Sequence, residues 1–246
     1  IRRLKVSSKA LEVVFQNDIL DQMQSHGWLL GESKNYNKEQ ALYPEDLISF
    51  VQVTQPEQWK KQLGIHPKNP EEALLKTVVR DLSASNKGTL WVLRNLVKDR
   101  GAKFSLCSFK PDHGLNPDAL ERYNQNILRV VPELVYSPNN YEGRIDLTLF
   151  VNGLQDFKRG ALVHFAVSQY NVAMTTRLAG KKTFFLPFDQ GTSEGDAGND
   201  SSEVGYPTAY LWNEIFRKDN LLTILGRYVH LQVEEKEQLG GSIVKK

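Results

Sequence analysis

Cysteine is almost absent from this chain: Cys107 is the only one among 246 residues. A lone thiol excludes an intrachain disulfide and a cysteine-built zinc site, and it suits a reducing compartment. Set in the apolar stretch Phe104-Ser-Leu-Cys-Ser-Phe109, it reads as a buried structural thiol. Long apolar runs are missing as well; none approaches the ~18–20 residues of a membrane span. The start, Ile1-Arg-Arg-Leu-Lys, has neither an apolar signal-peptide core nor an initiator Met. The expectation is a soluble, cytoplasmic protein whose sequence begins inside a longer chain. Neither sign of charge dominates. With a formal net charge of +2, a nucleic-acid surface has to be a local patch. Histidines His26, His66, His113, His164 and His230 are scattered, with no His-Glu-x-x-His. His164, in an apolar stretch, reads as a hydrogen-bonded core residue rather than a ligand. Serine-nucleophile signatures do not occur. Gly180-Lys-Lys-Thr183 lacks the upstream glycine and the strand-to-helix switch of a phosphate loop.

What is present is ordinary globular material. Apolar residues make up 40% and charged residues 24%, enough for a substantial core in one large or two small domains. Four-residue spacing of Leu11, Phe15, Ile19 and Met23 predicts a helix over 9–25, capped by Ser8 and stopped by Gly27. Residues 31–44 read as a loop, and Gln55-Pro56 opens a short helix. Asn69-Pro70, with Glu72 three residues after the cap, starts a helix carrying Leu74, Val78 and Leu82. Leu90, Leu93 and Val97 predict another over 89–99, and Asn116-Pro117 a third to about Gln125. Strands are expected over 102–109, 127–136 and 144–151, a hairpin at 162–178, and a short strand at 183–188. Residues 189–205 read as a mobile loop, 207–229 as helical, and 233–246 as a linker after a domain spanning 1–232. The layout is α/β, with a mixed central sheet flanked by helices.

Asp146 is the first candidate for chemistry. Alternation puts Ile145, Leu147, Leu149 and Val151 on one face of its strand and Asp146, Thr148 and Phe150 on the other. A carboxylate in such a strand is costly if buried alone, so it lies at an exposed edge or is held by a cation.

Four stretches carry a resemblance. They are Ser49-Phe-Val-Gln-Val-Thr-Gln-Pro56 with Trp59; Gly143-Arg-Ile-Asp-Leu-Thr-Leu-Phe-Val-Asn-Gly-Leu154; His164-Phe-Ala-Val167 with Met174-Thr-Thr-Arg-Leu-Ala-Gly-Lys-Lys-Thr-Phe-Phe-Leu-Pro-Phe188; and Tyr210-Leu-Trp212 with Asp219-Asn-Leu-Leu222. In this order they resemble the N-terminal nuclease domain of type I restriction endonuclease R subunits. The resemblance implies a restriction-endonuclease-like fold of the PD-(D/E)xK class and Mg²⁺-dependent cleavage of double-stranded DNA. It makes Asp146 the catalytic, metal-binding aspartate, with Ile145 where the motif has proline. It implies methyltransferase and specificity subunits as partners, and ATP used only by motor domains whose motifs this chain lacks. The family's Glu-x-Lys strand has no counterpart: Leu154 runs straight into Gln155, and the segment is expected to be missing between them. Asp156-Phe-Lys158 fits the pattern literally but aligns after the missing piece.

Glu12 on the first helix is a weaker acidic candidate, read first as an ordinary solvated carboxylate, and the family often has a second acid at the position of Gln16. Arg177, Lys181 and Lys182, with Lys158 and Arg159, are expected either to form a phosphate-facing patch on the sheet side or to be solvated surface charges. The competing expectation is a catalytically inactive, nuclease-like docking module for DNA or partner subunits.

Overall fold

A computed structural model describes residues 8–112, 116–136, 144–155, 161–230, 235–237 and 243–245. Helix α1 (Ser8–Ser25) ends as Gly27 predicts: at φ 89 this glycine lets Gly27 N donate to the Gln24 carbonyl and Trp28 N to that of Met23. That pair of bonds is the left-handed helix stop that favours glycine. Ile19, Leu20 and Met23 are buried, whereas Leu11, at the start of the expected apolar face, is exposed. Strand β1 (Leu29–Leu30) follows.

Residues 45–54, where periodicity assigned no element, belong to helix α2 (Pro44–Thr54). Its entry is well made, with Pro44 in the first turn and Glu45 and Asp46 beside the helix N-terminus. Helices α3 (Pro56–Ile65) and α4 (Pro70–Ser83) come next. Asn69 does not cap α4; its side-chain amide donates instead to Glu72 at 3.3 Å.

Helix α5 (Thr89–Arg94) is shorter than expected. Val97–Asp99 (β2) turns through Arg100-Gly101 into Ala102–Phe104 (β3), and the two pair antiparallel. The four-residue step from Leu93 to Val97, read as helical, is a helix followed by a strand. In α6 (Pro117–Asn124) the cap is real: Asn116 Oδ1 accepts from Ala119 N at 3.0 Å.

Strands β4 (Leu128–Val135) and β5 (Arg144–Val151) pair antiparallel, and β1 joins β4 in parallel, giving a mixed three-stranded sheet. Among the described residues the other strands do not extend it. β6 (His164–Val167), β7 (Val172–Thr175) and β8 (Leu186–Pro187) form a separate antiparallel sheet. Residues 207–229 are not one helix but a π-helical turn at Leu211–Ile215, α7 (Lys218–Thr223) and a second π-helical turn at Ile224–Tyr228. Arg217, extended at ψ 141, makes the break. Within the tail read as a linker, Glu235–Glu237 (β9) and Ile243–Lys245 (β10) pair antiparallel. The loop at 189–205 has defined turns, tied by Asp189 to Val172 N and Asn199 and by Asp200 to Ser193 N.

The sheet separates two cores. Val130, Val151 and Leu128 join the large one, with α1, α2, α4, α5 and Trp212. Val131, Leu134 and Phe150 join a small one built on Tyr36, Ala41 and Tyr43. The large core is stitched across long sequence separations. Trp28 donates to the Phe216 carbonyl and Trp212 to Gln22, fixing α1 against the C-terminal helical segments. Arg94 donates to the carbonyls of Leu225 and Val229, closing the last helical turn. This is a mixed α/β architecture, and no helix among the described residues is long and apolar enough to cross a membrane.

Candidate functional site

Strand β5 places Asp146 near its start. The alternation expected from the sequence holds: Leu147 and Leu149 pack on the large core and Phe150 sits in the small one. Asp146 itself is exposed. Two residues on, Thr148 is buried, and its hydroxyl has no hydrogen-bond partner among the described residues.

One hydrogen bond joins helix α1 to β5 at this point. The Gln16 side-chain amide donates to the Asp146 backbone carbonyl at 3.0 Å. The structure therefore brings together the two positions that the resemblance compared, although this chain has an amide where a second acid was sought. Glu12 lies one helical turn before Gln16 and is exposed.

A second acid near Asp146 was not singled out from the sequence. Pairs Pro132↔Leu147 and Leu134↔Ile145 put Glu133 of β4 across from Asp146 of β5. Glu133 has φ 50, a backbone conformation unusual for a non-glycine residue. The kink breaks the alternation of β4, so Val131 and Leu134 both serve the small core while Glu133 stays exposed. Glu133 also pairs with Arg144 at 3.5 Å. Only the strand register, which no single segment reveals, could have flagged it.

The Asn-Gly after β5 has a structural purpose. Asn152 is fully buried at φ 49; its Oδ1 accepts from Ile127 N at 2.7 Å. Its amide donates to the Leu106 carbonyl and to Asn126 Oδ1, both at 2.9 Å. A Cβ on Gly153 would lie 2.1 Å from the Tyr43 carbonyl oxygen, so only glycine lets the chain pass. Leu154 then bridges to Leu42 and Val151, and Gln155 is buried with its carbonyl accepting from the Thr89 hydroxyl. The chain thus turns into the core where the family motif continues as an extended strand. Asp156, Lys158 and Arg159 lie outside the described residues.

Arg177, Lys181 and Lys182 all lie in the connection between β7 and β8, and all are exposed. None of the described hydrogen bonds or ion pairs joins them to Asp146. Cys107 is buried, and burial pushes its thiol up to about 12, which makes it a packing group rather than a nucleophile. His66 pairs with Asp99 at 3.0 Å, and Asp99 also accepts from Gln62. These groups are well inside the fold and join α3 to β2.

Among the described residues no cluster of three or more His, Cys, Asp or Glu side chains is placed to hold a metal ion. The carboxylates related by strand register are Asp146 and Glu133, the latter also paired with Arg144. Compared with models of known protein families, with curated proteins and with solved structures, the chain returns no match.

Proposed function

We propose that this chain is the nuclease domain of a type I restriction endonuclease R subunit, with a restriction-endonuclease-like fold that hydrolyses phosphodiesters of double-stranded DNA with Mg²⁺. The observation that carries the reading is Asp146: an exposed carboxylate on an otherwise apolar strand, within the stretch that resembles the family's first catalytic motif. The mixed α/β architecture and the hydrogen bond from Gln16 of α1 to the Asp146 backbone support it.

The donor chemistry fits the ion. Mg²⁺ takes hard oxygen ligands and keeps several waters, so one or two carboxylates such as Asp146 and Glu133 are a sufficient protein share. When bound, the ion supplies a water of lowered pKa and neutralises charge on the phosphate. The residues' own part is to present those oxygens. Gln16 holds the backbone of Asp146, and Leu147 and Leu149 anchor the strand beneath it. Arg177, Lys181 and Lys182 are the phosphate contacts on this reading. Sequence recognition then belongs to the specificity subunit, and ATP to the motor domains.

The test is made in the full-length R subunit, assembled with its methyltransferase and specificity partners. Asp146→Ala abolishes Mg²⁺-dependent cleavage while ATP hydrolysis continues. Cleavage that survives the change refutes the catalytic assignment and leaves a docking module.

A further inference from the structure

The β7–β8 hairpin carries exposed cations beside exposed apolar side chains. From Val172 to Phe188 the sequence contains Arg177, Lys181 and Lys182 and not one Asp or Glu. None of the three cations has an ion-pair partner among the described residues. Beside them the hairpin exposes Leu178, Leu186 and Phe184, the last with 74% of its surface open to solvent. Removing an aromatic ring from water is favourable, so its exposure here on an all-cationic arm calls for a partner that is both anionic and flat-faced.

The arm is held firmly at its base. Phe188 N donates to the Val172 carbonyl at 2.8 Å, Tyr210 Oη to the Phe188 carbonyl at 2.6 Å, and the Phe165 and Phe188 rings meet edge to face. Its tip is a tight turn at Gly180–Lys182, closed by the Thr183 hydroxyl, which accepts from Ala179 N and donates to the Gly180 carbonyl, each at 2.8 Å. Nothing lies within 4 Å of a Cβ placed on Gly180, so the tip projects into open space. Cations and ring are therefore displayed on a formed turn, and little ordering cost remains for binding.

The geometry points to this hairpin as a clamp for an unpaired DNA strand, with Arg177, Lys181 and Lys182 on successive phosphates and Phe184 stacked on a base. A polyanion alone accounts for the cations but not for the ring; a duplex offers phosphates but keeps its base faces stacked away. A single strand supplies both. This rests on the DNA-binding part of the proposed function and adds to it the form of the strand and the residue that reads it.

Fluorescence anisotropy of the 246-residue chain with a labelled single-stranded oligonucleotide, titrated at several salt concentrations, tests it. The single strand binds more tightly than a duplex of the same sequence. The triple change Arg177→Ala, Lys181→Ala and Lys182→Ala lowers the slope of log affinity against log salt by about 2, at ~0.7 per phosphate contact. Phe184→Ala weakens binding at least about fivefold, the smallest effect expected for a lost base stack, and leaves the slope unchanged. All four residues are exposed, so the variants keep the fold. Equal affinity for duplex, a slope unmoved by the triple change, or equal competition by polyglutamate would each overturn the proposal. The two readings fail separately, because strand preference and salt slope report on the hairpin residues, whereas cleavage in the assembled R subunit reports on Asp146.

Discussion

Removing Arg129 should be among the most damaging single changes in the fold. Its guanidinium is bidentate on Asp46, with Nε to Oδ2 at 2.7 Å and Nη2 to Oδ1 at 2.6 Å. Nη1 donates to the Leu30 carbonyl at 3.1 Å, and the group lies over the Tyr43 ring at 4.6 Å. One side chain thus ties α2, β1 and the small core to β4. A Cβ on Gly31 would come within 2.7 Å of the Arg129 side chain, so glycine there makes room for its stem. The Asp46 side chain is 3% exposed and that of Arg129 12%. Arg129→Ala strands the carboxylate without water or partner, a loss of about 3–5 kcal/mol. With a urea slope of about 3 kcal/mol per M, the unfolding midpoint falls by roughly 1–1.7 M. The double change Asp46→Leu with Arg129→Met recovers most of that loss, because a buried pair replaced by apolar groups is often neutral. Urea unfolding followed by tryptophan fluorescence measures both. A single-variant loss below about 1 kcal/mol, or a double variant as unstable as the single, refutes the reasoning.

Asn152→Ala removes three hydrogen bonds, two of them buried, at a left-handed backbone position, costing about 3–4 kcal/mol by the same assay. Asn152→Gly should lose less, by about 1 kcal/mol, because glycine accepts that backbone; equal losses would contradict the strain argument. Asp219 supplies a pH test. The Lys110 ammonium and then the Tyr123 hydroxyl hold its carboxyl below the usual range. A group depressed on folding stabilises the protein above its unfolded pKa of about 4, and the contribution is lost as pH falls through the folded value. The urea-midpoint gap between the wild type and Asp219→Asn is therefore constant above roughly pH 5 and closes below roughly pH 4. A gap that widens on acidification contradicts the assignment.

Elements set by local chemistry were legible in the sequence. Asn116-Pro117 started α6, Gly27 stopped α1, and alternation gave both faces of β5. Where a local signal was ambiguous, tertiary pairing decided. Val97 lies at a helical spacing from Leu93, yet β2 pairs with β3. The run Thr183–Phe188 looked like a strand, but only Leu186–Pro187 pairs and Phe184 faces solvent. Asp146 was found because one acid stood out in an apolar strand. Glu133 was not, since its relation to Asp146 exists only through register. Asp46 and Arg129, 83 residues apart, gave no sequence signal of their pairing at all.

On the proposed reading Asp146 is a metal-binding carboxylate in a DNA-cleaving site. Its most direct test is the single-turnover cleavage rate of the assembled R subunit with Asp146→Asn, at saturating Mg²⁺ and double-stranded DNA. The amide keeps the size of the side chain at an exposed position and removes the negative charge, so folding is preserved. The account predicts cleavage reduced by at least about a hundredfold, the smallest loss usual when a transition-state electrostatic contact is removed, with ATP turnover unchanged. Cleavage within a few-fold of the wild type would contradict it.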